Sequence, residues 1–306
     1  MLKVSARNHL EKLIKHRALT HREKQILLAL NDVGLMTRHQ LESLFFPSAG
    51  MARRKLKLMY DNHLLDAGGD EWFQYIKPNI DQTDRTILVK GAPTIDFGLR
   101  KSFLYSPALV GRLVISFEHR QRIEDINFDS RRYDALYSTH LTLHDLWISE
   151  AYVQLRLMSQ KHNLLFDWKN EANSVVYSRH DSQDEIVRPD ATFTSWFQPD
   201  PMSSPKSFAR FIEMDRGSTK WEAKVEQYNR AFAEGNWQNR FDRFPTVLCV
   251  LPNRLFDKGV DQIRTHLGPV RFYGKTWGDF IEDPCSDWLD INSGDPAALL
   301  PADYLA

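Results

Sequence analysis

The sequence predicts an α/β (α+β) protein in two parts, a small helical N-terminal domain closed by a hairpin and a larger domain of order α-β-β-β-α-β-α-β. Three observations predict it. Apolar residues recur at helical spacing behind capping signals before residue 62, a Gly-Gly turn then separates two β-like runs, and apolar strands alternate with amphipathic helices from Leu141 onward. A chain of 306 residues suits about two domains of ordinary size.

In the first part, Thr20-His21-Arg22-Glu23 is a capping box, followed by Ile26, Leu27 and Leu30 on one helix face. Thr37 caps a second, short helix with Leu41, Leu44 and Phe45 inward. A third segment, Met51 to Asn62, turns Leu56 and Met59 to the core and Arg53, Arg54 and Lys57 outward. DAGGDEW follows as a turn, with Trp72, Phe73, Tyr75 and Ile76 in the second run. Helix, short helix, basic helix and hairpin is the order of a winged helix-turn-helix. That motif sets its third helix in the major groove of double-stranded DNA. Arg38, His39, Arg53, Arg54, Lys55 and Lys57 are the candidate DNA contacts. A helical domain with merely solvated cations, or one that docks protein, is the alternative.

The charge distribution points the same way although the net charge is zero. Residues 1–60 carry twelve Lys or Arg against four acids, a local excess that attracts phosphate. After Lys275 there are seven acids and no cation, read as a solvated acidic tail. Two cysteines without CxxC spacing exclude a disulfide scaffold and a zinc finger and suit a reducing cytoplasm. No apolar run reaches membrane-spanning length, so no membrane partner is expected. The boundaries expected are 1–80 for the winged helix, 81–140 for an ordered connector with short strands such as Leu113–Phe117, 141–278 for the α/β domain, and 279–306 for the tail. The oligomeric state is not encoded legibly.

Within the α/β domain, Leu143–Met158 reads as a helix. Strands follow at LLFDW, at Val187–Phe193 after a hairpin near Asn173-Ser174, and at Phe208–Asp215. A helix over about Thr219–Ala233, the apolar strand Thr246–Leu251, a helix near Lys258–His266 and a strand at Val270–Tyr273 complete the set. Asp190 interrupts a strand after Pro189. Glu213 and Asp215 lie two apart on the next strand, so alternation turns both to one face. Such carboxylates suit Mg2+ or Mn2+, hard ions that take oxygen ligands. Lys220, Lys224 and Tyr228 form an i, i+4, i+8 stripe on the following helix that can overhang them. Each has a structural alternative: Asp190 in a turn hydrogen bond, Glu213 and Asp215 paired with Arg216 or Arg188, Lys224 solvated, and Tyr228 in the core. His144, at a helix start, serves equally as a cap or as a supporting imidazole.

At these residues the chain resembles the PD-(D/E)XK, restriction-endonuclease-like nucleases, with Pro189-Asp190 as one element and Glu213-Met214-Asp215 as the second. Asp215 stands where their lysine usually is. Because some members take that lysine from the next helix, the resemblance implies Lys224, or else Lys220, as the substitute. RPDATF, FIEMDRGS and KVEQY, behind Leu143-His144-Asp145-Leu146 and a winged helix, more closely resemble the replication-relaxation family over roughly residues 20–275. That resemblance implies a DNA-nicking or DNA-processing nuclease of a plasmid or other mobile element, related to relaxases. Asp190, Glu213, Asp215 and Lys224 would be catalytic, and the first three would hold the metal. Other transfer or replication proteins are the implied partners. A nuclease fold that has lost activity and serves as an initiator, accessory factor or transcriptional regulator is the competing reading. A protein-docking module is a third. Gly274-Lys275-Thr276 lacks the earlier glycine of a P-loop, since residue 269 is Pro, and no HExxH or GxSxG is present.

Overall fold

The computed structural model describes residues 19–68, 104–119, 139–197 and 206–300 of the chain. It is an α+β fold in two compact units, one of residues 1–81 and 97–153, the other of 82–96 and 154–306.

In the first unit, helix α1 (His21–Val33) starts at the expected capping box. The Thr20 hydroxyl accepts from the Glu23 amide at 3.3 Å while Glu23 Oε2 accepts from the Thr20 amide at 2.8 Å. Gly34, at a φ of 83°, ends it. Strand β1 (Met36–Thr37) leads into α2 (Arg38–Phe45), where Thr37 and Gln40 make a second capping box. Helix α3 (Ala49–Asp61) buries Ala52, Leu56 and Met59. Strand β2 (Leu65–Gly68) pairs antiparallel with β3 (Leu104–Pro107), which also pairs with β1. The run Trp72, Phe73, Tyr75, Ile76, expected as the other hairpin arm, lies outside the described residues.

Leu113–Phe117, expected as a strand, instead falls within helix α4 (Leu109–His119). A five-residue apolar run fits either form, and tertiary packing decided. Gly111 lies so close to the Leu64 carbonyl oxygen that a Cβ would clash with it, a glycine contact that seats α4 on this unit. Helix α5 (Thr139–Lys161) is longer than the expected Leu143–Met158. Its earlier turns join this unit: the Ser149 hydroxyl donates to the Leu35 carbonyl at 2.5 Å, and Gln40 Nε2 donates to Glu150 Oε2 at 2.9 Å.

The second unit is built on a seven-stranded mixed sheet, in the order β12-β11-β10-β9-β8-β7-β4. Its strands are β4 (Leu165–Asn170), β7 (Ala191–Phe197), β8 (Lys206–Met214), β9 (Thr246–Leu251), β10 (Phe272–Thr276), β11 (Trp288–Asp290) and β12 (Pro296–Ala297). The central strands β8, β9 and β10 run parallel, whereas β4, β7 and β8 are antiparallel neighbours. One-turn helix α6 (Glu171–Ser174), capped by Asn170, replaces the hairpin expected at Asn173-Ser174. Strands β5 (Val176–Tyr177) and β6 (Glu185–Val187) form a small separate pair.

Helices α7 (Trp221–Glu234) and α8 (Phe256–Thr265) share a core with one sheet face, in which Trp221, Val225 and Tyr228 meet Phe211, Val247, Cys249 and Phe272. Each fully buried large apolar side chain of this kind contributes about 2 kcal/mol. Strand β9 is apolar and buried nearly throughout, as expected of a strand covered on both faces. Apart from the inserted α6 and the small pair β5 and β6, the order from α5 to β10 is the α-β-β-β-α-β-α-β succession read from the sequence.

The acidic stretch after residue 278 is not a solvated tail over its described part. Helix α9 (Trp277–Glu282) precedes β11 and β12, which extend the sheet, and Phe280, Trp288, Ile291, Leu299 and Leu300 are buried. Its acids alternate with large apolar residues, and charge counting alone overlooked that pattern. No helix among the described residues is long and apolar enough to cross a membrane.

Candidate functional site

The sheet register assembles the acids. Ala191 pairs with Asn170 on one side and with Ile212 on the other. One step further along the same ends stand Glu171, Asp190 and Glu213, a row across three neighbouring strand ends, with Cys249 paired to Glu213 beyond. The Asp190 amide donates to the Ile212 carbonyl at 3.1 Å, and Asp190 Oδ2 accepts from the Met214 amide at 2.7 Å. Asp190 is thus locked beside the end of β8 by a bond from the neighbouring strand rather than by the turn hydrogen bond weighed for it.

Glu213 is 5 % exposed and points to α7. Lys224 Nζ reaches its Oε1 at 2.9 Å, and the Tyr228 hydroxyl donates to the same oxygen at 2.5 Å. Both donors converge on Oε1. Lys224 also donates to the Arg188 carbonyl at 2.9 Å. Burial, reinforced by the Asp190 charge, pushes the Glu213 carboxyl up to about 7, against the opposing pull of Lys224 and the Tyr228 hydrogen bond. Burial alone would lower Lys224, but Glu213, Asp190 and Glu171 together hold it above its ordinary value. Tyr228 is pushed well up by burial and by Glu213, which keeps it a phenol and a donor rather than a nucleophile.

Asp215 faces the same helix, as alternation requires, but is engaged elsewhere. Its Oδ1 accepts from the amides of Gly217 at 2.7 Å and Thr219 at 3.2 Å, and its Oδ2 accepts from Trp221 Nε1 at 3.0 Å. Strand β8 ends at Met214, and the turn through Gly217, at a φ of 90°, takes this carboxylate to anchor the start of α7. Lys220 precedes that helix, exposed and making no side-chain cap. His144 lies half-buried on α5 in the first unit.

Sequence reasoning missed Glu171. It opens α6 beside Asp190, lies 3.9 Å from Arg188 and bears on Lys224. Only the pairing of β4 with β7 puts it there, and no local signal marks it. Arg188, weighed as a partner for Glu213, pairs instead with Glu185 at 2.5 Å.

Two carboxylates at adjoining strand ends, with a lysine between them and the helix, suit a small divalent cation that keeps most of its waters. Among the described residues no cluster of three His, Cys, Asp or Glu is placed to hold an ion by itself. Asp190 and Glu213 are the carboxylates whose chemistry would suit such an ion, whereas the oxygens of Asp215 already accept from Gly217, Thr219 and Trp221.

In the first unit, Arg53, Arg54 and Lys57 are exposed on α3, together with Met51, Leu58 and Tyr60. Lys57 pairs with Asp61 at 2.7 Å. Lys55, grouped in the sequence with the outward cations, turns back to the buried Glu23 at 3.0 Å. On α2, His39 is exposed and Arg38 half-buried.

No curated protein and no solved structure matches the chain. A family model described as replication-relaxation matches residues 108–247, a stretch that contains Asp190, Glu213, Lys224 and Tyr228 and leaves out α1 to α3. Through residues 108–247, somewhat less than half of its length, this chain is similar to the replication-relaxation family.

Proposed function

We propose that the protein binds and processes DNA during replication or relaxation of a plasmid or other mobile element, and that its second unit is a metal-dependent nicking nuclease of the PD-(D/E)XK kind. The observation that carries this reading is the meeting of Asp190, Glu213 and Lys224 at one end of the sheet. The similarity to the replication-relaxation family supports the DNA-processing half. Bound Mg2+ or Mn2+ supplies an activated water and stabilises the leaving oxygen. Asp190 and Glu213 hold the ion, and Asp190 is fixed for this by the Met214 amide. Glu213 would hold the ion as a carboxylate, because a metal competes with protons for the same oxygen. Lys224 and Tyr228 orient Glu213 through Oε1, so the carboxylate's other oxygen would be the one to hold the ion. Arg53 and Arg54 of α3 grip duplex DNA, with His39 and Arg38 on α2 beside them.

Nicking of supercoiled DNA in Mg2+ or Mn2+ tests the enzyme. Wild-type protein is expected to nick, and Asp190→Asn and Glu213→Gln to lose activity by about a hundredfold or more. Intact DNA binding without cleavage under either ion sinks the nuclease half.

A second reading keeps DNA binding and drops catalysis. It is favoured by the closure of the network on itself, with Lys224 bound to Glu213 and the Arg188 carbonyl. Calorimetry with Mn2+ separates the two readings: a site present in wild type and lost in Asp190→Asn belongs to the enzyme, and absence of any site belongs to the scaffold.

A further inference from the structure

Arg210 lies on β8 across from Phe193 and Thr246. Its number has the parity of Ile212 and Met214, so it projects from the sheet face opposite α7 and the acidic row. Its Nε is fully covered and has no hydrogen-bond partner among the described residues, while the residue keeps part of its surface in solvent. Among the described residues, Nη1 donates only to the adjacent Ala209 carbonyl and no carboxylate pairs with the guanidinium. The Phe208 ring lies 5.8 Å from it and limits its orientation. Arg271 and Tyr273 follow the same parity on and just before β10, and both bear on the Arg210 charge. Arg271 is largely exposed and only loosely engaged, 3.8 Å from Asp290.

A guanidinium cannot shed its proton at neutral pH as a buried lysine can. Covering one without a counter-charge is costly, and proteins rarely keep such an arrangement unless something anionic completes it. The strain shows in the charge itself, since burial and then Arg271 pull Arg210 below its ordinary value. The planar fork of an arginine matches two oxygens of a phosphate, and a second arginine and a phenol on the same sheet face, across the intervening β9, add further donors.

We propose that Arg210, with Arg271 and the Tyr273 hydroxyl, forms a binding subsite for a phosphate-class oxyanion on the sheet face away from the acidic row. The occupant is a backbone phosphate of nucleic acid or free phosphate. The subsite stands on its own geometry, whatever the fate of the nuclease reading.

Thermal unfolding of the whole chain tests it, with inorganic phosphate titrated against chloride at matched ionic strength. Wild type is expected to gain a few degrees in a saturable way, roughly as ligand linkage requires. Arg210→Met is expected to lack that gain, and to melt no lower than wild type without phosphate, because it removes an uncompensated buried charge. Arg271→Gln, an exposed change, should weaken the phosphate response without touching the fold. Equal phosphate responses in wild type and Arg210→Met overturn the proposal, as does an Arg210→Met variant unstable in chloride alone with Arg271→Gln behaving as wild type. A single-stranded oligonucleotide distinguishes the sources. For a backbone phosphate, Arg210→Met lowers the slope of log affinity against log salt by about one. An unchanged slope with a lost phosphate response assigns the subsite to free phosphate. Failure of nicking with a retained phosphate response would sink the nuclease and leave this subsite standing.

Discussion

At Glu213, burial and ion pairing oppose each other, and burial prevails: the folded carboxyl titrates near 7, against 4.5 for an ordinary glutamate. The folded state therefore holds a proton that the unfolded chain has released between those two values, and stability falls as pH rises through this window. Lys224 is raised above an ordinary 10.5, so its contribution is intact below that pH and does not bend the curve here. Wild type is expected to be more stable near pH 5.5 than near pH 8 by on the order of 2 kcal/mol from this group. Glu213→Gln should flatten that dependence. Urea melts at the two values check it, and an unchanged pH slope in the variant refutes it. Strand alternation put Glu213 and Asp215 on one face correctly from the sequence. It could not show that β8 stops at Met214 and that the Gly217 turn claims Asp215, because a strand's end is set by tertiary packing of the next segment, which no local period encodes. Glu171 was illegible for the same kind of reason, since its place beside Asp190 comes from a pairing across twenty residues of chain.

Helix α3 shows how one element can assign neighbouring cations to different tasks. Lys55 and Arg54 are adjacent in sequence and alike in charge, but Lys55 returns to Glu23, whose side chain is wholly buried and closes the α1 capping box. Arg54 stays exposed. Arg54→Gln is expected to weaken DNA binding and reduce its salt slope by about one, with little change in stability. Lys55→Met should do the reverse, costing about 1–3 kcal/mol by leaving a buried carboxylate without its cation. Anisotropy against salt and chemical denaturation separate the pair, and a Lys55 variant with wild-type stability contradicts this division. The capping boxes, the helix order and the strand at Thr246–Leu251 were legible because their signals are local. Helix α4 was not, since its short apolar run carries no period and its seat on Leu64 is a long-range contact.

Across the second unit, the sheet does not end with the family match at residue 247 but continues through β9, β10, β11 and β12. Lys275 is buried with its ammonium bound to the carbonyls of Asp283 and Ser286, and it lies over the Trp288 ring at 5.8 Å. This clamps the final segment to β10. Truncation after residue 278 is expected to abolish a cooperative unfolding transition of this unit, because Trp288, Ile291, Leu299 and Leu300 leave the core together. A truncated chain that melts as wild type does would return the segment to the status of a solvated tail.

The antiparallel ladder between β7 and β8 runs from Ala191 opposite Ile212 to Phe197 opposite Lys206, and it acts as a vernier for the acids at its end. One residue inserted within β8 ahead of Glu213 would rotate that carboxylate half a turn, to the Arg210 side, and bring Ile212 under Lys224. Two inserted residues would restore its facing but move it out of phase with Asp190. Chain length between the strands can drift without chemical consequence, whereas the parity and phase of this ladder cannot.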